Sequence, residues 1–444
     1  MKQRGRHRRR KRGRALRAFL TGTALALTAA ATMISASQAT VADSPGALKP
    51  ITSSAGTGPL RLREQLVPRA ALDRLAGAMG RPVGVSAVLK GADRALLDAA
   101  DCTAAARESL PVAPRAAHAY CWDPSDTADP NWRPASVTTS GDADDDGVWG
   151  ENRVILSGWT HSARTGPAAE RGLARVAFVD ADDPARLAYS WVLLVVPTAD
   201  GRDYRGLAST VSGMVWYQDK LLVTAGTGKS EALYVYDLDR IQRTTVDGPS
   251  IGRVAGGWSA DGYRYVMPAV GTYRFPAGRC GTDGPPCPGG LSLDRGSAPD
   301  SLVLSEWTPP DSDRHARLWR YAFSGDPARG GLLAADSAGR VDAVEAFETR
   351  AAGIRGVLAY HSPGTTRTSW YVGRPADSPD GRGSLWRQDT SGAKAARCGS
   401  DATHHCWTEG AGSLSYWQET GEVWSLSHRM LFSAPLSSID SSLG

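Results

Sequence analysis

The chain has 444 residues, 41% hydrophobic and 22% charged, with a formal charge of +5 and six cysteines. Ten of the 51 basic residues lie between Lys2 and Arg17, where there is no acid, so the remainder carries 41 basic against 46 acidic residues, a net of −5. The positive charge therefore belongs to the N-terminus, and no later basic cluster is interleaved with aromatics, which argues against a nucleic-acid surface.

From the start, a basic stretch to Arg17 is followed by an apolar run from Ala18 to Ile34 and by the small residues Ser35-Ala36-Ser37-Gln38-Ala39. This order predicts a signal peptide over 1–39, cut near Ala39 or Ala42. The competing reading is an uncleaved anchor, since the run approaches the ~20 residues that span a bilayer. Its Ala, Thr and Gly content, with Ser37 and Ala39 small, favours cleavage. Arg8-Arg9-Arg10 leaves a twin-arginine route open beside the general one. Residues 40–60 are rich in Ser, Gly, Pro and Thr and read as a flexible linker. No second apolar run is long enough to cross a membrane, so the expectation is a secreted, extracellular monomer with no membrane contact after cleavage.

Residues 61–120 read as a small helical extension, because Arg61 to Met79 and Ala92 to Leu110 place Ala and Leu at near-helical spacing. Asp123 to Pro134 is a loop dense in Asp and Pro. Beyond residue 135, short apolar or alternating runs are separated by Gly, Asp, Pro and Ser, from Arg153–Trp159 and Ala174–Val179 through to Glu422–Leu426 and Met430–Ala434. That spacing predicts an all-β sandwich, barrel or propeller over 121–440.

Repetition favours the propeller. Gly213-Met214-Val215-Trp216-Tyr217, Gly356-Val357-Leu358-Ala359-Tyr360 and Ser413-Leu414-Ser415-Tyr416-Trp417 each open a run of strand, turn, strand, gap, strand. Their starts at 213, 356 and 413 are 143 and 57 residues apart. The longer gap accommodates two further units, near Tyr263 and Leu302, at the ~40–50 residues typical of a blade. With a first unit near Arg153 to Val196, the expectation is a β-propeller of five blades, six being the alternative. A blade cannot cover its own two faces and must stack on its neighbours.

The cysteines form three local pairs, Cys102 with Cys121, Cys280 with Cys287 and Cys398 with Cys406. An even count after a signal peptide predicts disulfides, because the exterior is oxidising. A zinc site is the competing reading, but no pair has the two-residue gap of a zinc knuckle.

The stretch from Cys121 to Leu436 resembles a group of uncharacterised secreted, propeller-like proteins of high-G+C Gram-positive bacteria. The residues that carry the resemblance are Ser140-Gly141-Asp142-Ala143-Asp144-Asp145-Asp146-Gly147, Val179-Asp180, Gly213 to Tyr217, and Ser292-Leu293-Asp294-Arg295 with Asp300-Ser301-Leu302. Tyr234 to Leu238 and Leu414-Ser415-Tyr416 with Val423-Trp424 also fit. The resemblance implies export and a propeller-like body, and it brings no catalytic residues.

Asp142, Asp144 and Asp146 before Gly147 form the sharpest motif, since alternate carboxylates around a turn can wrap a hard cation. Val148 would contribute its carbonyl. The twelfth position of an EF-hand is Arg153 in place of Glu, so Glu151 would have to substitute. The expectation is a structural calcium loop, with affinity of ~0.1–1 mM, weighed against an acidic solvated turn. Gly226 to Ser230 fails as a phosphate loop, because the required first glycine is Val223. His404 and His405 point to opposite faces of an extended chain and, with His361 and His428, read as solvated residues. Neither a Gly-x-Ser-x-Gly elbow nor an HExxH helix is present. Asp180, Asp182, Asp183, Asp300, Glu306, Glu345 and Glu348 stand near strand ends, where a pair ~5–9.5 Å apart would suit glycoside cleavage.

These readings converge on a secreted binding or scaffold protein that recognises a glycan, peptide or cell-surface ligand at one face of the ring. The alternative is a secreted hydrolase or lyase with a carboxylate site at the propeller axis. A third is an envelope protein held by its uncleaved N-terminus.

Overall fold

The computed structural model describes residues 44–162, 172–226, 230–281, 284–362, 367–376, 381–398, 404–410 and 412–443, so the expected signal peptide lies outside the described residues. The chain divides into two units, Met1–Pro45 and Gly46–Gly444.

The strands of the second unit pair as five antiparallel meanders. The first runs from β1 (Trp132–Thr139) through Val154–His161 and Ala174–Asp180 to Ala188–Pro197. The second takes β2 (Met214–Tyr217), Lys220–Gly226, Glu231–Asp237 and Tyr265–Arg274. The third takes β3 (Pro288–Asp294), Ser301–Glu306, Ala316–Ala322 and Glu345–Thr349. The fourth takes β4 (Gly356–His361), Thr368–Arg374, Ser384–Asp389 and Gly392–Ala395. The fifth takes β5 (Leu414–Trp417), Glu422–Leu426 and Met430–Pro435, and is completed by His118–Cys121 and Leu97–Asp98 from early in the chain. Strands β1 to β5 neighbour one another in sequence order, and β5 returns to β1. The result is a mostly β, propeller-like ring.

The ring forms because each sheet is apolar on both faces. Val154 and Leu156 point to one side of the first meander, where they meet Met214, Trp216, Leu221 and Val223 of the second. Ile155, between them, points the other way and meets Trp417, Trp424, Leu426 and Leu431 of the fifth. Side chains alternate along a strand, so a continuous apolar run is what burial on both faces requires. The same layering recurs between the second and third meanders around Val215, Leu222, Leu304 and Trp319. It recurs between the third and fourth around Val303, Leu318, Val357 and Trp370, and between the fourth and fifth around Leu358, Tyr371, Val423 and Phe432. Trp159, Trp216, Trp319 and Trp370 are fully buried in these layers. Tryptophan suits the gap between two sheets because one ring buries ~200 Å².

Three features depart from the expected pattern. First, Leu62–Leu66, expected as helix, is a strand that pairs with Tyr265–Arg274 and with Arg340–Val341. Helix in the segment 61–120 is confined to Arg69–Met79, Gly84–Lys90, Ala104–Glu108 and the single 3₁₀ turn Ala99–Asp101. Second, Tyr265–Arg274 opens no meander near Tyr263; it runs parallel to Ala188–Pro197 and then antiparallel to Glu231–Asp237, tying the first two meanders together. Third, β1 and β3 carry Pro, Ser, Thr and Gly and show little apolar alternation. They lie innermost, where the chains crowd: a Cβ on Gly213 would sit 2.6 Å from the Leu291 nitrogen. Small residues are selected there over good strand formers.

Cys102–Cys121, Cys280–Cys287 and Cys398–Cys406 are disulfide-bonded. The first fastens the strand that completes the fifth meander.

Candidate functional site

The inner strands all run the same way, so their ends define two mouths. At the mouth where they finish, polar groups close on one another. Asp142 follows β1 and is wholly enclosed, with Thr138 Oγ1 and Ser415 Oγ each donating to its Oδ2 at 2.7 Å. Burial pushes its carboxyl up to about 6, against the hydroxyl bonds and the nearby Arg295, which pull it down. Arg295, after β3, donates to the Asp142 carbonyl at 2.8 Å, pairs with Asp145, and lies 3.6 Å from Asp300. Asp294 accepts from Arg320 at 2.7 Å and from the Gly296 nitrogen at 2.8 Å. His361 Nδ1 lies 3.3 Å from Asp294, and its Nε2 lies 2.7 Å from Thr368 Oγ1. Tyr360 and Tyr416 meet edge to face with centroids 5.3 Å apart. The cavity left among these groups is about 40 Å³.

The opposite mouth, where the inner strands begin, stays open. A cavity of about 310 Å³ is lined by Arg133 to Ala135 of β1, by Thr210 and Ser212 before β2, and by Arg355 before β4. Glu409, Gly410 and Gly412 approach β5, and Ser427 and His428 come from the hairpin after Glu422–Leu426. The hydroxyls are mostly committed to the scaffold: Ser427 Oγ bonds Ser109 Oγ at 2.7 Å, and Ser212 Oγ donates to the Gly289 carbonyl at 3.1 Å.

The cations are not committed. Among the described residues neither the Arg355 guanidinium nor the His428 imidazole has a hydrogen-bond or ion-pair partner, and Arg133 Nε donates only to the Pro130 carbonyl at 3.3 Å. Both Arg355 and His428 are exposed to the open cavity whose wall they help to form. Partial desolvation by the cavity wall lowers the affinity of each for its proton, and Arg133, Arg355 and Arg429 lower that of His428 further. Gly410, with φ of +76°, lets the ring lie against the main chain, since a Cβ there would sit 2.7 Å from His428 Nε2.

The residues singled out in the sequence are dispersed. Asp144 accepts from the Asp145 nitrogen at 2.7 Å and Asp146 from the Val148 nitrogen at 3.0 Å, so each caps its own turn while Asp142 turns inward. Glu151 and Val148 continue the loop beyond them. Among the described residues one group of three acids has carboxylate oxygens within 4.8 Å of one another, Asp219, Asp237 and Asp239, and Lys220 and Arg240 offset part of its charge. Asp182 holds the Arg153 nitrogen at 2.6 Å, Asp183 pairs with Arg186, and Glu306 is taken by Arg314 and Arg317. Glu345 pairs with Arg320 and Glu348 with His315 on the outer part of the third meander. Of the acids expected near strand ends, Asp300 approaches the closed mouth, 3.6 Å from Arg295. Arg133 and Arg355 were not legible as site residues, since each is a lone arginine beside a strand start.

The chain matches no family model and no curated protein. Among solved structures it is similar to a chain of Drosophila Plexin A in complex with Semaphorin 1b, with TM-score 0.23 and 7% identity over 64% of this chain and 71% of that one. It is also similar to Drosophila Semaphorin 1b, extracellular domains 1-2, with TM-score 0.22 and 8% identity over 64% and 71%. Drosophila Semaphorin 1a, extracellular domains 1-2, gives 0.21 and 11% over 64% and 72%. Likeness at this level carries no argument, and the propeller-like fold rests on the strand pairing and the layered core.

Proposed function

We propose that this chain is a secreted binding protein, built as a five-bladed propeller, that receives part of a glycan, peptide or cell-surface ligand at the mouth where its inner strands begin. The observation that carries the reading is the contrast in space: about 310 Å³ at that mouth against about 40 Å³ at the other. The larger volume is at the low end of the range for small-ligand sites, enough for one sugar ring or one side chain. Export is supported by the signal-like N-terminus, by the likeness to secreted proteins of high-G+C Gram-positive bacteria, and by three disulfides, which persist in oxidising surroundings. No helix among the described residues is long and apolar enough to cross a membrane.

The hydrolase alternative draws on the closed mouth, where burial raises Asp142, Asp300 and Glu419. Raised carboxyls are what a general acid needs. A cavity of about 40 Å³ holds no sugar ring, so the binding reading is favoured.

The test is a screen of arrayed bacterial polysaccharides and peptides with wild type and Thr210→Trp, which fills the open mouth from an exposed position. Binding is expected to weaken at least about tenfold with the melting temperature unchanged. Undiminished binding by Thr210→Trp would move the site elsewhere.

A further inference from the structure

We propose that the open mouth takes an oxyanion, a carboxylate, sulfate or phosphate group at the end of the ligand, gripped by Arg355 with His428 as second donor. This rests on the binding reading above and specifies its chemistry.

The charge at this mouth is unbalanced. Arg133, Arg355 and His428 line it from three different elements, Arg429 adds to the field on His428, and Glu409 is the acid on the lining. Glu409 already has an interaction of its own. Arg355 is exposed into the cavity and has no hydrogen-bond or ion-pair partner among the described residues, so its guanidinium can turn to a ligand without breaking a contact of the fold. Its planar fork of N–H groups matches two oxygens of a carboxylate, sulfate or phosphate.

The neutral imidazole of His428 can donate one hydrogen bond and, when protonated, adds a charge. Desolvation by the cavity wall and, after it, the charges of Arg133, Arg355 and Arg429 lower the imidazole's affinity for its proton. A bound oxyanion offsets that field and draws the proton on, so affinity should rise as pH falls. Glu409 faces the same cavity and opposes an anion, so it limits the affinity.

The experiment is calorimetric titration of the whole secreted chain with glucuronate, glucose, sodium sulfate and sodium phosphate at matched ionic strength, repeated with Arg355→Gln, His428→Gln and Thr210→Trp. Glucuronate is expected to bind where glucose does not, and Arg355→Gln to weaken it at least about tenfold, the loss typical of a charged hydrogen bond. Tighter binding at pH 5 than at pH 7.5 should disappear in His428→Gln. Sulfate and phosphate distinguish a general oxyanion site from one restricted to carboxylates. Because Arg355 is exposed and has no side-chain partner among the described residues, its variant should unfold at the wild-type temperature, which separates lost binding from lost folding. Equal binding of glucose and glucuronate, or binding indifferent to Arg355→Gln but abolished by Thr210→Trp, overturns the oxyanion and leaves the mouth as the site. Binding indifferent to Thr210→Trp overturns the mouth itself. No binding by any of the anions at ~10 mM, well above the weakest useful affinities, also overturns the oxyanion.

Discussion

The two mouths of the ring are built from the ends of the same five strands, yet they resolve their charges in opposite ways. Where the strands finish, Asp142, Asp294, Arg295, Arg320 and His361 are tied into hydrogen bonds and ion pairs within the fold, and Tyr360 and Tyr416 line the small space left. Where they begin, Arg133, Arg355 and His428 line a cavity and, among the described residues, form no ion pair with an acid. A complete polar network rigidifies a fold, whereas unmatched charge beside open space marks what the fold leaves to an outside partner.

The sharpest way to break this comparison is to cut one arginine from each mouth. Arg295→Met strips Asp142, Asp145 and Asp300 of their shared cation and should lower stability by about 2–3 kcal/mol in urea unfolding, in the range for a broken buried network. Arg355→Met should change it by less than about 0.5 kcal/mol. Equal losses would mean that both mouths are structural.

A second measurement follows stability against pH. Asp142 has its native pKa raised from an ordinary 3.8 to about 6, so between these values the folded state holds more protons than the unfolded state. The stabilisation is therefore fully present below about pH 4 and lost as pH rises through 6, on the order of 2–3 kcal/mol. Asp142→Asn should flatten that part of the profile, and a profile unchanged by the substitution would remove the buried carboxylate from the account.

Ring closure links the mouths. Cys102 and Cys121, 19 residues apart, clasp the strand that completes the fifth meander. Replacing both by Ser should cost about 2 kcal/mol and increase hydrogen exchange in Met430–Pro435, the neighbouring strand. Loss confined to Leu97–Asp98 would show that the ring closes without the clasp.

The smallest effect concerns the acidic loop at the rim of the closed mouth. A calcium site there with Kd near ~1 mM stabilises by only ~0.4 kcal/mol at ~1 mM calcium, equivalent to about 1 °C. That increment should vanish in Asp144→Ala. No rise even at ~10 mM would leave the loop as an acidic turn whose carboxylates cap their own backbone.

Much of the blade body was legible. Met214–Tyr217 and Glu422–Leu426 are strands over the residues that their alternation predicts. Units opening near 213, 356 and 413 are the second, fourth and fifth meanders. Three kinds of element were not legible. Leu62–Leu66 looks helical because its partners, at 271–274 and 340–341, are distant in sequence and leave no mark on local periodicity. Strands β1 and β3 show little apolar alternation because several of their positions meet crowded main chain that admits small residues, as the close approach of Gly290 to the Arg355 carbonyl, 2.8 Å from an added Cβ, illustrates. The acidic run drew attention as a carboxylate cluster, but a one-dimensional motif does not reveal that Asp142 turns inward while Asp144 and Asp146 turn back on the chain.

Local sequence, then, determined where strands form and that their two faces must both be buried, because alternation and apolar content act over a few residues. It also paired the cysteines, since each pair is close in the chain. Only the tertiary structure decided which ends of the strands meet. Arg355 and His428 are 73 residues apart, and they share a cavity because separate meanders bring their loops to one end of the axis. Charge balance at a mouth depends on such long-range placement, and that is why the site emerged from the fold alone.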